Sequence, residues 1–162
     1  MRFFIELSYK GTNYHGWQVQ PNANTVQAEI NKALSLILNA KIEVAGAGRT
    51  DAGVHAKQMF AHFDFDSEFD FNTTIIKLNS FLPKDIAVSS FFKVKDEASS
   101  RFDALSRVYD YNIVQQKSPF KTTAYFVYKP LDVKKMNLAC QYLLGKQDFT
   151  SFSKANTQTF TN

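Results

Sequence analysis

The sequence predicts an α+β fold. A ferredoxin-like β-α-β-β-α-β half is followed by an incomplete second α+β half, with a mostly antiparallel sheet and helices on one face. Three observations predict it. Period-two and helical-period segments alternate across residues 1–94 in the order β-α-β-β-α-β. Past a polar connector, residues 95–105, strand and helix patterns begin again over 106–162 and do not complete a second unit. Apolar residues make up 44% of the 162, enough for a packed core.

Each element has its own signal. Phe3, Ile5, Leu7 and Tyr9 alternate with Phe4, Glu6 and Ser8, the pattern of a half-buried strand. Gly11 to Pro21 reads as a loop, with Trp17 expected to plug the core rather than stand out as a stacking surface. Asn24 followed by Gln27 resembles a capping box, and Val26, Ile30, Ala33, Leu34 and Ile37 keep a helical period. Lys41 to Val44 begins a second strand that runs into a glycine-rich loop. Met59, Ala61, Phe63 and Phe65 mark the third. Asp70 to about Phe81 is a helix stopped by Pro83, and Ile86 to Phe92 is the fourth strand.

In the second half, Arg107 to Val114 alternates Tyr109, Tyr111 and Ile113 against Val108, Asp110 and Asn112, a further strand. Ala124 to Tyr128 is another. Asp132 caps a helix with Val133, Met136, Cys140, Leu143 and Leu144 on one face, and Gly145 supplies its C-terminal cap. The tail from Lys154 to Asn162 is polar.

Bulk properties narrow the function. The net charge of +4 permits a polyanionic partner without demanding one. One cysteine forms no internal disulfide, which points to a reducing compartment, and with three scattered histidines it builds no zinc site. Glu6 interrupts the N-terminus too early for a signal peptide, and no apolar run approaches a membrane span. The expected location is the cytoplasm, with no membrane association. Positive charge is mostly lysine, fifteen residues against four arginines. Three of those four, Arg49, Arg101 and Arg107, sit in two short motifs. A guanidinium offers planar paired donors and can stack on a base, which an ammonium cannot.

The most informative stretch is Ala45-Gly46-Ala47-Gly48-Arg49-Thr50-Asp51-Ala52-Gly53-Val54-His55-Ala56. Small residues on both sides let a large ligand approach the backbone. The run lacks the lysine and hydroxyl of a P-loop. An aspartate is a carboxylate at neutral pH without help and a competent nucleophile beside an electrophilic carbon. Asp51 is therefore either such a nucleophile or a turn cap. His55 is either a general base or a packing residue. Tyr109 and Tyr111, close to Arg107, are either a base-stacking surface or a cross-strand pair.

Taken together, these motifs resemble the TruA family of tRNA pseudouridine synthases. The resemblance rests on Tyr9 to Pro21, Thr25-Val26-Gln27, Gly48 to Ala56, Leu82 to Val88, Arg101-Phe102-Asp103-Ala104, Arg107-Val108-Tyr109-Asp110-Tyr111 and Asp148 to Phe152. It implies an isomerase that converts uridine to pseudouridine at positions 38–40 of the tRNA anticodon stem-loop, with no cofactor and no metal. It implies that Asp51 is the catalytic nucleophile and that Arg49 helps hold the flipped nucleotide. Tyr109 would stack on the target base, and Arg101 and Arg107 would grip phosphates. His55 joins them as a candidate substrate contact. It also implies a homodimer and a chain about half as long again. Nothing here matches the family's late motif, whose basic residue pairs with the aspartate. The expectation is a C-terminally truncated chain with little activity alone. The competing expectations are a non-catalytic ferredoxin-like RNA-binding module and a hydrolase using Asp51 with His55 as base.

Overall fold

Strand β1 (Arg2–Tyr9) is the spine of a four-stranded antiparallel sheet. It is followed by α1 (Val26–Leu38), β2 (Ala45–Gly46), β3 (Ala56–Asp64), α2 (Phe71–Phe81) and β4 (Ile86–Val94). The spatial order β2-β3-β1-β4 puts the first and third strands in the middle. Ile5 lies between Ala61 on β3 and Phe91 on β4. The odd-numbered residues of β1 are buried in one core with Ile30 and Leu34 of α1 and Leu78 of α2. This is the predicted ferredoxin-like half. The computed structural model describes residues 1–152, and the polar tail from Lys154 to Asn162 lies outside them. Two compact units divide the chain, Met1–Arg107 and a second starting at Val108.

The high phenylalanine content has a place in the first unit. Phe69 lies 4.9 Å from Phe3 and meets Phe91 edge-on at 5.2 Å, and Phe63 and Phe71 complete the cluster. Edge-to-face contacts of this kind add to simple area burial.

Two local predictions are corrected by hydrogen bonding. Lys41 to Val44 is not a strand, and β2 is only Ala45–Gly46. Polar side chains of α1 take the place of a neighbouring strand. Asn31 Oδ1 accepts the Val44 N–H at 2.9 Å, and Gln27 Nε2 donates to Val44 O at 2.6 Å. Ser35 Oγ accepts the Ile42 N–H at 2.9 Å. Buried backbone groups must find partners, and here a helix supplies them. The α1 cap is Thr25, which accepts the Ala28 N–H, and not Asn24. Gln27 is occupied elsewhere: its Oε1 accepts the Val19 N–H at 2.8 Å. The same device recurs on α2, where Asn79 both donates to Val88 O and accepts the Val88 N–H at 2.8 Å. Val88 belongs to the edge strand, so Asn79 blunts that edge.

The connector is tied to the sheet. Ser100 is buried, donates to Ala45 O at 2.9 Å and lies 2.8 Å from His62 Nδ1. Burial holds the His62 imidazole below its ordinary pKa. Arg2 forms a paired contact with both carboxylate oxygens of Asp64 at 2.8 Å and also donates to Ala98 O.

The second unit is sparser. β5 (Ile113–Val114) and β6 (Tyr125–Phe126) form a parallel pair two residues long. The predicted strand from Arg107 shrinks to its last two residues, because no strand pairs with residues 108–111 among those described. α3 (Val133–Cys140) is capped by Asp132 as predicted, then tightens into a 3-10 turn at Gln141–Leu143. Gly145 follows with a left-handed φ of 90°. No described residue after Arg107 is buried.

Candidate active site

The site is built from two loops of the first unit fastened backbone to backbone. The loop after β1 contributes Trp17, whose N–H donates to Thr50 O at 3.1 Å. The Gly53 N–H donates to Tyr14 O at 3.3 Å, and the Gly11 N–H to His55 Nδ1 at 2.9 Å. Glycine is required at these approaches. A Cβ on Gly16 would stand 2.2 Å from Thr50 O and one on Gly11 2.0 Å from Val54 O. Gly16 also holds a φ of 85°, which other residues adopt at a cost.

Buried side chains beneath the loops fix them further. Trp17 is 2% exposed, as its reading as a plug required, and its indole lies against the position a Cβ on Gly46 would need. Tyr9 lies beneath it with ring centroids 6.0 Å apart, and its hydroxyl is 2.9 Å from Thr50 Oγ1. Tyr14 donates to Asp85 Oδ1 at 2.6 Å. Burial and the Asp85 carboxylate hold that phenol protonated well above its ordinary range.

Between the loops lies an open cleft of about 440 Å³. His15, Gln18 and Gln20 line one side, and Arg49, Thr50, Asp51 and Ala52 the other. Asp51 and Arg49 are exposed, and no hydrogen bond or ion pair holds either side chain among the described residues. The Asp51 carbonyl accepts the Val54 N–H at 3.3 Å, which closes a turn while the carboxylate stays in the cleft. The turn thus uses the backbone of Asp51 and leaves its side chain available to a ligand.

The other candidates fall in different places. His55 is exposed, and its Nδ1 accepts a backbone N–H, which fixes the neutral ring as the Nε2–H tautomer. That geometry suits a donor better than a base. Arg107 Nη2 donates to Ala47 O and to Arg101 O, both at 2.7 Å, and Arg107 Nε to Ala47 O at 3.3 Å. It braces the glycine-rich loop. A Cβ on Gly48 would come 3.4 Å from its Nε. Arg101 is exposed, with its guanidinium 5.2 Å from the Phe102 ring centroid. Tyr109 belongs to the second unit, where it is exposed, and Tyr111 lies 6.2 Å from Tyr125. Gln18 and Gln20 are absent from the sequence-derived candidates, and His15 has a weaker case there than His55. The signal for them was Gly16 beside Trp17, since a glycine next to a large aromatic in a loop marks a close backbone approach. No cluster of three metal-ligating residues occurs among those described.

Comparison with known proteins gives the family of the chain. The family model described as tRNA pseudouridine synthase matches residues 7–103, which span both site loops. A curated relative from Bacteroides thetaiotaomicron named tRNA pseudouridine synthase A is 51% identical over 99% of this chain and 60% of its own length. Relatives of the same name from Bacteroides fragilis and Francisella tularensis subsp. novicida are 50% and 41% identical. They are matched over 99% and 98% of this chain, and 65% and 63% of their own lengths. The chain therefore spans less than two thirds of the relatives it matches. With both loops of the cleft inside the matched region, the chain belongs to the tRNA pseudouridine synthase family.

Proposed function

We propose that the protein isomerises uridine to pseudouridine at positions 38–40 of the tRNA anticodon stem-loop, with Asp51 as nucleophile. The observation that carries this reading is the Asp51 carboxylate, exposed in a cleft beside Arg49 and committed to no protein donor among the described residues. A target base inside a stem is out of reach, so the nucleotide must leave the stack. The Asp51 carboxylate adds to the sugar or the base as the bond from N1 to the ribose breaks. The freed uracil turns and rejoins through C5, and the bond to Asp51 breaks, which restores the free carboxylate. The proton on C5 leaves and N1 ends protonated, so product and substrate are isomers.

The remaining residues have supporting roles in this reading. Arg49, which lines the cleft, steadies the everted nucleotide, and His55 donates from Nε2. Arg107 holds the glycine-rich loop while its outer edge and Arg101 meet phosphate. Tyr109 stacks on the base. The working unit is a homodimer in the cytoplasm. The test uses tRNA carrying tritium at uridine C5. A protein of the relatives' full length releases tritium, this chain alone releases little, and Asp51→Ala in the longer protein reduces the release by at least about a thousandfold. Release that survives this substitution removes Asp51 from the chemistry. Tight tRNA binding with no release, indifferent to Asp51→Ala, identifies a binding module instead.

A further inference from the structure

Gln18 lines the same cleft as Asp51, and its carboxamide has no hydrogen-bond partner among the described residues. Its position is fixed by the loops. Gln18 follows Trp17 and Asp51 follows Thr50, and those two neighbours are joined by the bond from Trp17 N–H to Thr50 O. Trp17 is buried and Gly16 is pressed against the Thr50 carbonyl, so the mount beneath Gln18 is rigid. The side chain itself is exposed and reaches the cleft as an unused donor and acceptor pair.

We propose that Gln18 is the residue that holds the imide edge of the target uracil, and holds it equally before and after the ring turns. This deepens the isomerase reading and rests on it. A primary carboxamide pairs with a base edge through two parallel hydrogen bonds. On uracil, its oxygen accepts from N3–H and its NH₂ donates to the neighbouring carbonyl oxygen. A freed uracil that exchanges N1 for C5 makes a half-turn about the axis through N3 and C6. That turn exchanges O2 and O4 and leaves N3–H in place. The carboxamide therefore meets the same pattern in the substrate and in the product. Few other recognition groups have this property. A charged side chain would favour one protonation state of the ring, and a single donor would lose its carbonyl midway.

The proposal is tested on the ¹⁵N-labelled chain by titrating uridine, pseudouridine and 3-methyluridine and following side-chain amide resonances. The Gln18 pair is assigned by its loss in Gln18→Ala. Uridine and pseudouridine are expected to shift that pair to a similar extent, and 3-methyluridine, which lacks N3–H, to leave it in place. Gln18→Met keeps length and removes both polar atoms. It should weaken uridine binding about tenfold, read at the Ala52 backbone amide. The proposal is overturned if 3-methyluridine shifts the pair as uridine does, or if none of the three shifts it. Tritium release stands apart from these readouts. Release by a protein of the relatives' full length with no N3–H dependence at Gln18 retains the isomerase and removes the clamp; N3–H dependence without release at that length does the reverse.

Discussion

Helices α1 and α3 both present an apolar stripe and both begin with a side-chain cap, yet they end in opposite environments. α1 buries Val26, Ile30, Ala33 and Leu34 completely against the sheet. α3 buries nothing, and Val133, Leu138 and Leu144 beyond it are all well exposed. The difference teaches that a stripe and a cap are enough to specify a helix, while a core needs a second layer facing it. In the first unit that layer is a four-stranded sheet. In the second it is a parallel pair only two residues long.

The largest test of the contrast is truncation of matched leucines. Leu34→Ala, at a fully buried site, should cost about 2–5 kcal/mol in urea unfolding followed by circular dichroism. Leu138→Ala, at a site 68% exposed, should change stability by no more than about 0.5 kcal/mol. Equal losses would erase the distinction.

Glycines sharpen it next. Gly16 and Gly145 both hold a left-handed φ, but a Cβ on Gly145 meets nothing within 4 Å. Gly145→Ala therefore carries only backbone strain, about 1–2 kcal/mol. Gly16→Ala adds a collision with Thr50 O and should lower the melting temperature further. It should also depress tritium release, because the colliding segment carries Asp51.

A third pair concerns polar side chains that serve the backbone. Asn79→Ala strands the Val88 N–H and C=O and should cost about 1–3 kcal/mol. Asp132→Ala removes the α3 cap in an exposed setting and should show about 1 kcal/mol or less. If the cap proves the more costly loss, edge protection by Asn79 is a minor matter.

The smallest effect is electrostatic. Hydrogen bonds from Gln58 and then Ser90 hold the Glu6 carboxyl below its ordinary pKa. A carboxylate with a depressed folded pKa contributes stability above the ordinary carboxylate range and loses it as pH falls through the depressed value. Glu6→Gln should therefore melt lower at neutral pH and converge with the unaltered chain in acid. A constant offset across the pH range would assign the loss to packing.

Much of the first unit was legible in the sequence because its strands alternate cleanly and its helices keep their period. Residues 41–44 were misread for a physical reason. Ile42 and Val44 are buried in alternation as in a strand, but their backbone partners are Ser35, Asn31 and Gln27, a helix face that no local pattern announces. Around the site, the Asp51 loop stood out through its small residues. The opposite wall did not, because Gln18 and His15 reach it only when two loops some thirty residues apart are sewn together. In the second unit, the alternation from Val108 to Asn112 was real, but a strand exists only where a neighbour provides the ladder.

Trp17 is the sole tryptophan in the chain. Wedged between the Tyr9 ring and the glycine-rich loop, it is an intrinsic optical probe placed where it is most useful. Its emission should be blue-shifted in the folded protein and sheltered from iodide or acrylamide quenching. Any nucleic acid that parts the two loops, or any substitution that unseats them, should redden the signal without an attached dye.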